Sequence, residues 1–253
     1  MEHSLLRALG KSFTSDPAHA NARITLGSHD PSDTIDSSMS ISTITNDGHN
    51  FSTLTLQRSV SARNCEEIVR IMRRQIDDVD FTRECCIAIG DLAFADPDCQ
   101  TRLGQAGACG TVVYGMRTHG ANLGVGFSGL TAITALLLRG NINNVGLIAQ
   151  AGGCDVITSV LLTHPACPYI ALGGALAIHR LTEGITATVA IFGHGGGCEA
   201  LVGAVRPHIR QVEVALAGVK AINSLACDDP TNSCRLGAAE GVELVIAMLQ
   251  VGL

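Results

Sequence analysis

Cys65, Cys109, Cys154 and Cys198 follow one another at intervals of 44, 45 and 44 residues, and Val242 stands in the same register 44 residues later. A chain that repeats at this period is one structural unit used several times, which constrains its fold more than any single motif does. Counting from each anchor, position 3 reads Ile68, Val112, Ile157, Leu201 and Val245, and position 7 reads Met72, Met116, Leu161, Val205 and Leu249. Spacing 0, 3, 7 marks one face of a helix. Position 20 is small (Cys85, Gly129, Gly174, Gly218). Position 23 is alanine throughout (Ala88, Ala132, Ala177, Ala221), position 24 isoleucine (Ile89, Ile133, Ile178, Ile222) and position 27 leucine (Leu92, Leu136, Leu181, Leu225). These four columns are the i, i+3, i+4, i+7 stripe of a second, longer helix.

A short helix precedes each anchor, as in 99–106, 143–151 and 232–239. Gly107, Gly152 and Gly196 stand two residues before their anchors, where a chain leaving one helix needs a left-handed residue. Asp96-Pro97 and Asp229-Pro230 break the long helix and start the short one. Each unit is therefore three helices, and one unit cannot bury its own apolar stripe, so neighbours supply the missing half of every core. Composition agrees. The chain is 46% hydrophobic but only 3% aromatic, has no tryptophan and carries 28 glycines, so its core is made of small and aliphatic side chains at close quarters.

The pattern across residues 62–250 resembles the armadillo repeat family, with Gly218-Val219-Lys220-Ala221-Ile222-Asn223-Ser224-Leu225-Ala226 similar to its third-helix core and Ala151-Gly152-Gly153-Cys154-Asp155-Val156-Ile157 to its second-helix start. Tetratricopeptide units are shorter and HEAT units have two helices, so both fit less well. The resemblance implies an all-α, right-handed α-solenoid of armadillo-type three-helix repeats over 56–253, about four units and a partial fifth. It also implies an inner groove, lined by third helices, that takes an extended peptide or protein segment. The groove-facing positions it implies are 22 (Ile87, Thr131, Leu176, Lys220) and 26 (Asp91, Ala135, Arg180, Ser224). Nuclear-import armadillo adaptors carry a tryptophan and asparagine ladder at such places. None of its rungs is present, which argues against basic nuclear-localisation peptides as cargo.

The two ends differ from the array. Residues 1–55 are rich in Ser and Thr, as in Ser37-Ser38-Met39-Ser40-Ile41-Ser42-Thr43, and have no sustained period, which predicts a disordered tail; 4–11, with Leu5, Leu6 and Leu9, is a candidate for a short capping helix. The fifth unit supplies no third helix to cover Val245, Ile246 and Leu249. A truncated array, an association surface through which copies of the chain meet, and an imperfect cap all account for this, the first most simply.

No catalytic or cofactor-binding constellation is evident. His119, His164 and His208 recur ten residues after their anchors, but equivalent positions in stacked units form a row about 10 Å apart and cannot converge on a metal ion. A histidine at a helix C-terminus has a simpler use, bonding the last free carbonyls. Gly193-His194-Gly195-Gly196-Gly197 lacks the preceding strand and following Gly-Lys-Ser/Thr of a phosphate loop. Cys198, at a helix N-terminus after three glycines, is the best candidate for an activated thiol and is the basis of the alternative reading, an enzyme or redox-sensitive protein. A net charge of −6 argues against nucleic acid or an anionic membrane as partner, and no apolar stretch is long enough to span a bilayer unbroken. Ten cysteines without a signal peptide at the N-terminus point to a reducing setting, cytoplasmic or nuclear.

Overall fold

The computed structural model describes residues 56, 58–60, 63–227 and 229–250, which are helix and connecting turn throughout. The tail read as disordered, 1–55, and the short helix expected at 4–11 lie outside the described residues. Unit 1 contributes α1 (Cys65–Arg74) and α2 (Val79–Ala95). Unit 2 is α3 (Pro97–Ala106), α4 (Ala108–His119) and α5 (Leu123–Leu136), and unit 3 is α6 (Ile142–Gln150), α7 (Gly153–Thr163) and α8 (Pro168–Thr182). Unit 4 is α9 (Thr186–His194), α10 (Gly197–Val205) and α11 (Val212–Ala226), and the partial fifth unit is α12 (Pro230–Ala238) and α13 (Gly241–Gln250).

Local chemistry sets most boundaries. Asp96 ends α2 in an extended conformation and its carboxylate then accepts from the Asp98 amide at 2.9 Å, with Pro97 at the first position of α3. Asp229 and Pro230 do the same for α12. Asn64, Asp78, Asn122 and Asn141 cap α1, α2, α5 and α6 through their side chains. The corner between first and second helices is left-handed in every unit: Gly107, Gly152 and Gly196 have φ of 87°, 79° and 77°. Arg63 and Glu240, at the same register in units 1 and 5, adopt φ of 50° and 59° without being glycine. The turn is thus imposed by the stacking even where the residue disfavours it.

The columns read from the sequence form the core. The anchor cysteines and positions 3, 7, 23, 24 and 27 of units 1 to 4 are buried. The small residue at position 20 has a specific reason. A Cβ on Gly129 would stand 2.3 Å from Met116 Cγ, one on Gly174 2.5 Å from Leu161 Cδ2, and one on Gly218 2.8 Å from Val205 Cγ1. In units 2 to 4 the position-7 side chain of the second helix therefore lies directly on the third-helix backbone.

Polar ties run between units. Arg73, Arg117 and Arg206, each eight residues after its anchor, donate to carbonyls at the next unit's left-handed corner: Ala106 and Gly107, Ala151, and Ala239 and Glu240. Leu162 occupies that register in unit 3 and is 63% exposed. Buried Asn144 donates to the carbonyls of Gln100 and Leu136, and buried Asn232 to that of Val189, so the first helices are tied to the unit before. Gln100 Nε2 is shared among the carbonyls of Ala135, Leu136 and Leu138 at the end of α5.

The last layer is partly open. Positions that the following unit covers elsewhere, such as Phe127 and Leu172, or Leu130 and Ala175, are buried, whereas their unit 4 counterparts Leu216 and Val219 are only partly so. On α13, Leu244 and Met248 face the core, Val245 is partly buried against it, and Val242, Ile246 and Leu249 are 60%, 50% and 60% exposed.

Candidate peptide-binding groove

The third helices α2, α5, α8 and α11 pack side by side in chain order and form one rank. Each turns its Ala-Ile-Leu stripe to the core, which leaves positions 22 and 26 on the opposite side. Asp91 is exposed there; Ile87, Thr131, Arg180, Lys220 and Ser224 are half-buried; Ala135 and Leu176 are buried, at 3% and 4% exposure. The rank thus brings the eight positions onto one wall in two parallel rows, but Ala135 and Leu176 form floor more than contact surface.

The wall is electrostatically uneven. Asp91 is accessible by area, yet the surrounding wall displaces enough water to push its carboxyl above the usual carboxylate range, and desolvation is the cause. α5 carries no charged residue at all, and α8 and α11 place Arg180 and Lys220 further along the rank.

Sequence reasoning missed the surroundings of Ser224. His179 Nδ1 lies 2.7 Å from Ser224 Oγ, bridging α8 and α11, and His179 Nε2 faces the exposed Glu183 carboxylate at 3.9 Å. Together with Ile185, Asn223 and Cys227 these residues line a pocket of about 230 Å³ at the edge of the rank. The serine hydroxyl donates to the Lys220 carbonyl at 2.9 Å, so the imidazole Nδ1–H donates to the serine oxygen. A serine whose proton is held by a backbone carbonyl is not an activated nucleophile, and the trio acts as a strut between units. Its sequence signal was the polar change at position 25 (Gly90 and Thr134, then His179 and Asn223) and at position 29 (Phe94 and Leu138, then Glu183 and Cys227).

The histidines ten residues after their anchors do form a row, but they do not bond the end of their own helix as expected. His119 Nε2 donates to the Ile76 carbonyl and His164 Nε2 to the Gly120 carbonyl, both at 2.8 Å and both in the preceding unit. The physical reason is reach: stacking brings the preceding unit's turn closer to the ring than its own last carbonyls. His208 breaks the series, its buried Nε2 having no hydrogen-bond partner among the described residues.

Cys198 also corrects an expectation. It is buried, and burial pushes its thiol up to about 11 although it stands near the start of α10, the opposite of an activated thiolate; desolvation outweighs the helix terminus. Cys65, Cys109 and Cys154 are held up at about 12 for the same principal reason. The glycine run before Cys198 is explained by packing. A Cβ on Gly193 would meet Asn232 Oδ1 at 1.8 Å, Gly196 makes the left-handed corner, and Gly197 abuts Phe192.

No family model matches the chain, and no curated protein does. Solved structures do. An engineered protein known from its crystal structure superposes with a TM-score of 0.63 at 16% identity, over 82% of this chain and 92% of its own. A designed armadillo repeat protein in complex with the peptide (KR)4 superposes with a TM-score of 0.60 at 18% identity, over 80% of this chain and 88% of its own. At such identities the likeness speaks for the fold, and it meets the 44-residue three-helix repeat read from the residues: the chain folds as an armadillo-like α-solenoid.

Proposed function

We propose that the protein is a non-enzymatic interaction module, a scaffold that holds an extended segment of another protein against the wall lined by Ile87, Asp91, Thr131, Ala135, Leu176, Arg180, Lys220 and Ser224. The observation that carries this reading is the rank of third helices, whose positions 22 and 26 share one side opposite the Ala-Ile-Leu stripe, with six of the eight side chains at least partly accessible. The designed armadillo relative in fold was solved with a peptide bound, which is the use this reading assigns to the same architecture. Repeated helices at regular spacing suit an extended chain because both advance by a fixed step.

The alternative built on an activated cysteine loses its main support with the Cys198 thiol held near 11. All ten cysteines are free, and seven are buried, which fits a reducing cytoplasmic or nuclear setting. The test is a photo-cross-linking amino acid placed at Thr131, at the centre of the wall, and separately at Tyr114, which is 51% exposed on a second helix. Challenged with a random-peptide pool, the Thr131 protein should cross-link peptide and the Tyr114 protein should not. Equal labelling from both positions, or none from Thr131, would overturn the proposal.

A further inference from the structure

Taking the groove reading as its basis, we infer that the occupant is a bipolar extended segment, with a basic side chain facing Asp91, small or apolar residues across Thr131 and Ala135, and an acidic side chain facing Lys220. The charges of the four third helices carry this. α2 bears Asp80, Glu84 and Asp91 against a single Arg83, which pairs with Asp80 at 3.5 Å. α5 is uncharged over its whole length. α8 bears Arg180 and His179, and α11 bears Lys220 together with Glu213 in its first turn, two turns from Lys220. Neither Asp91 nor Lys220 has an ion-pair partner among the described residues. Of the carboxylates near the positive end, Glu183 lies beyond the last turn of α8 and faces His179 at 3.9 Å, and Asp229 caps α12 by accepting from the Asn232 amide.

Along positions 22 and 26 the wall is acidic on α2 (Asp91), uncharged on α5 and basic on α8 and α11 (Arg180, Lys220), so a uniformly basic or uniformly acidic segment is repelled at one of its two ends. The wall is satisfied at both by a segment of opposite polarity. The spacing follows from the stacking. Packed helices lie about 9 Å apart and an extended chain advances about 3.3 Å per residue, so the basic and acidic residues should be about eight positions apart. Desolvation of Asp91 by the wall adds to this, because a carboxylate already short of water gains more from a cation than one in bulk solvent.

The experiment uses the full chain and synthetic twelve-residue peptides of Ser, Ala and Leu in four versions: one Lys and one Asp eight residues apart, two Lys, two Asp, and neither. Binding is read by fluorescence anisotropy at low salt. The bipolar peptide should bind about tenfold more tightly than each of the others: over the two-Lys and two-Asp peptides by one modest ion pair gained and one repulsion avoided, over the uncharged peptide by two ion pairs gained. D91K should then move the preference to the two-Asp peptide and K220E to the two-Lys peptide, with helical circular dichroism unchanged; D91N provides a milder variant that should only flatten the preference. If peptides bind but all four versions bind alike, or D91K and K220E leave the ranking unchanged, bipolar recognition is overturned while groove binding stands, provided Thr131→Trp abolishes it. If none binds and the random pool also yields nothing, the groove reading itself has failed.

Discussion

Thiols in this molecule answer to burial before anything else. Cys65, Cys85, Cys86, Cys99, Cys109, Cys154 and Cys198 are buried, whereas Cys227 and Cys234 are exposed. A thiol reagent at pH 8 should therefore modify Cys227 and Cys234 in the native protein, half-buried Cys167 more slowly, and reach the seven buried thiols only on unfolding, which mass spectrometry of the labelled protein would resolve; rapid native labelling of Cys198 would contradict the account. The same burial makes stability pH-dependent in a defined window. The folded thiols of Cys65, Cys86, Cys109 and Cys154 sit near 12 against an ordinary value of 9.0, so the unfolded chain loses protons first. Their contribution to stability is complete below pH 9 and is lost as pH rises from there toward 12. Denaturant midpoints should fall over that interval, and less so when Cys109 and Cys154 are replaced by Ala. A second expectation at this scale concerns Gly193. Its substitution by Ala puts a methyl 1.8 Å from Asn232 Oδ1 and disturbs the bond to the Val189 carbonyl, for a cost of about 1–3 kcal/mol in equilibrium unfolding. The anchors were legible in the sequence because a size limit recurs in every unit. The asparagine and histidine ties were not, because their partners are main-chain carbonyls of another unit, and a carbonyl carries no sequence signal.

Between helices, the recurring joint is the left-handed corner with an arginine from the preceding unit folded over it. Three arginines, Arg73, Arg117 and Arg206, share one register, and that regularity stands in the sequence, but nothing local reveals the carbonyls they meet. Leu162, exposed in the same register, leaves the corner at Gly195 and Gly196 without a clamp. L162R should restore it and raise stability by about 0.5–1.5 kcal/mol, and Arg117→Leu should cost about as much. Urea unfolding at constant m-value measures both, and a destabilising L162R would refute the clamp. The short helices begin one or two residues earlier than their apolar pattern does, because the capping residue and, in α3 and α12, the proline at the first position extend them past the first buried side chain. The groove rows were placed by the resemblance. What no repeat pattern foretold is that Ala135 and Leu176 would sink into the floor, since third helices that approach this closely cover short and apolar side chains at the wall's centre.

As a whole, the molecule is a stack in which each layer is completed by the next, so its stability is a sum of units and interfaces with no single core to lose. The final layer shows this by its incompleteness. Replacing Ile246 or Leu249 by Lys removes little buried surface and should change stability by less than about 0.5 kcal/mol, whereas Met248→Ala, at a fully buried site on the same helix, should cost about 2–5 kcal/mol. Calorimetry of the three variants would decide whether α13 is a true layer with one open face or a loosely attached helix. The central claim is that function resides on the wall of third helices, and backbone amide chemical-shift mapping with a bipolar peptide tests it most directly. Shifts should concentrate at 87–91, 131–135, 176–180 and 220–224 and spare the second helices. Shifts gathered on α4, α7 and α10, or on the open face of α13, would contradict it.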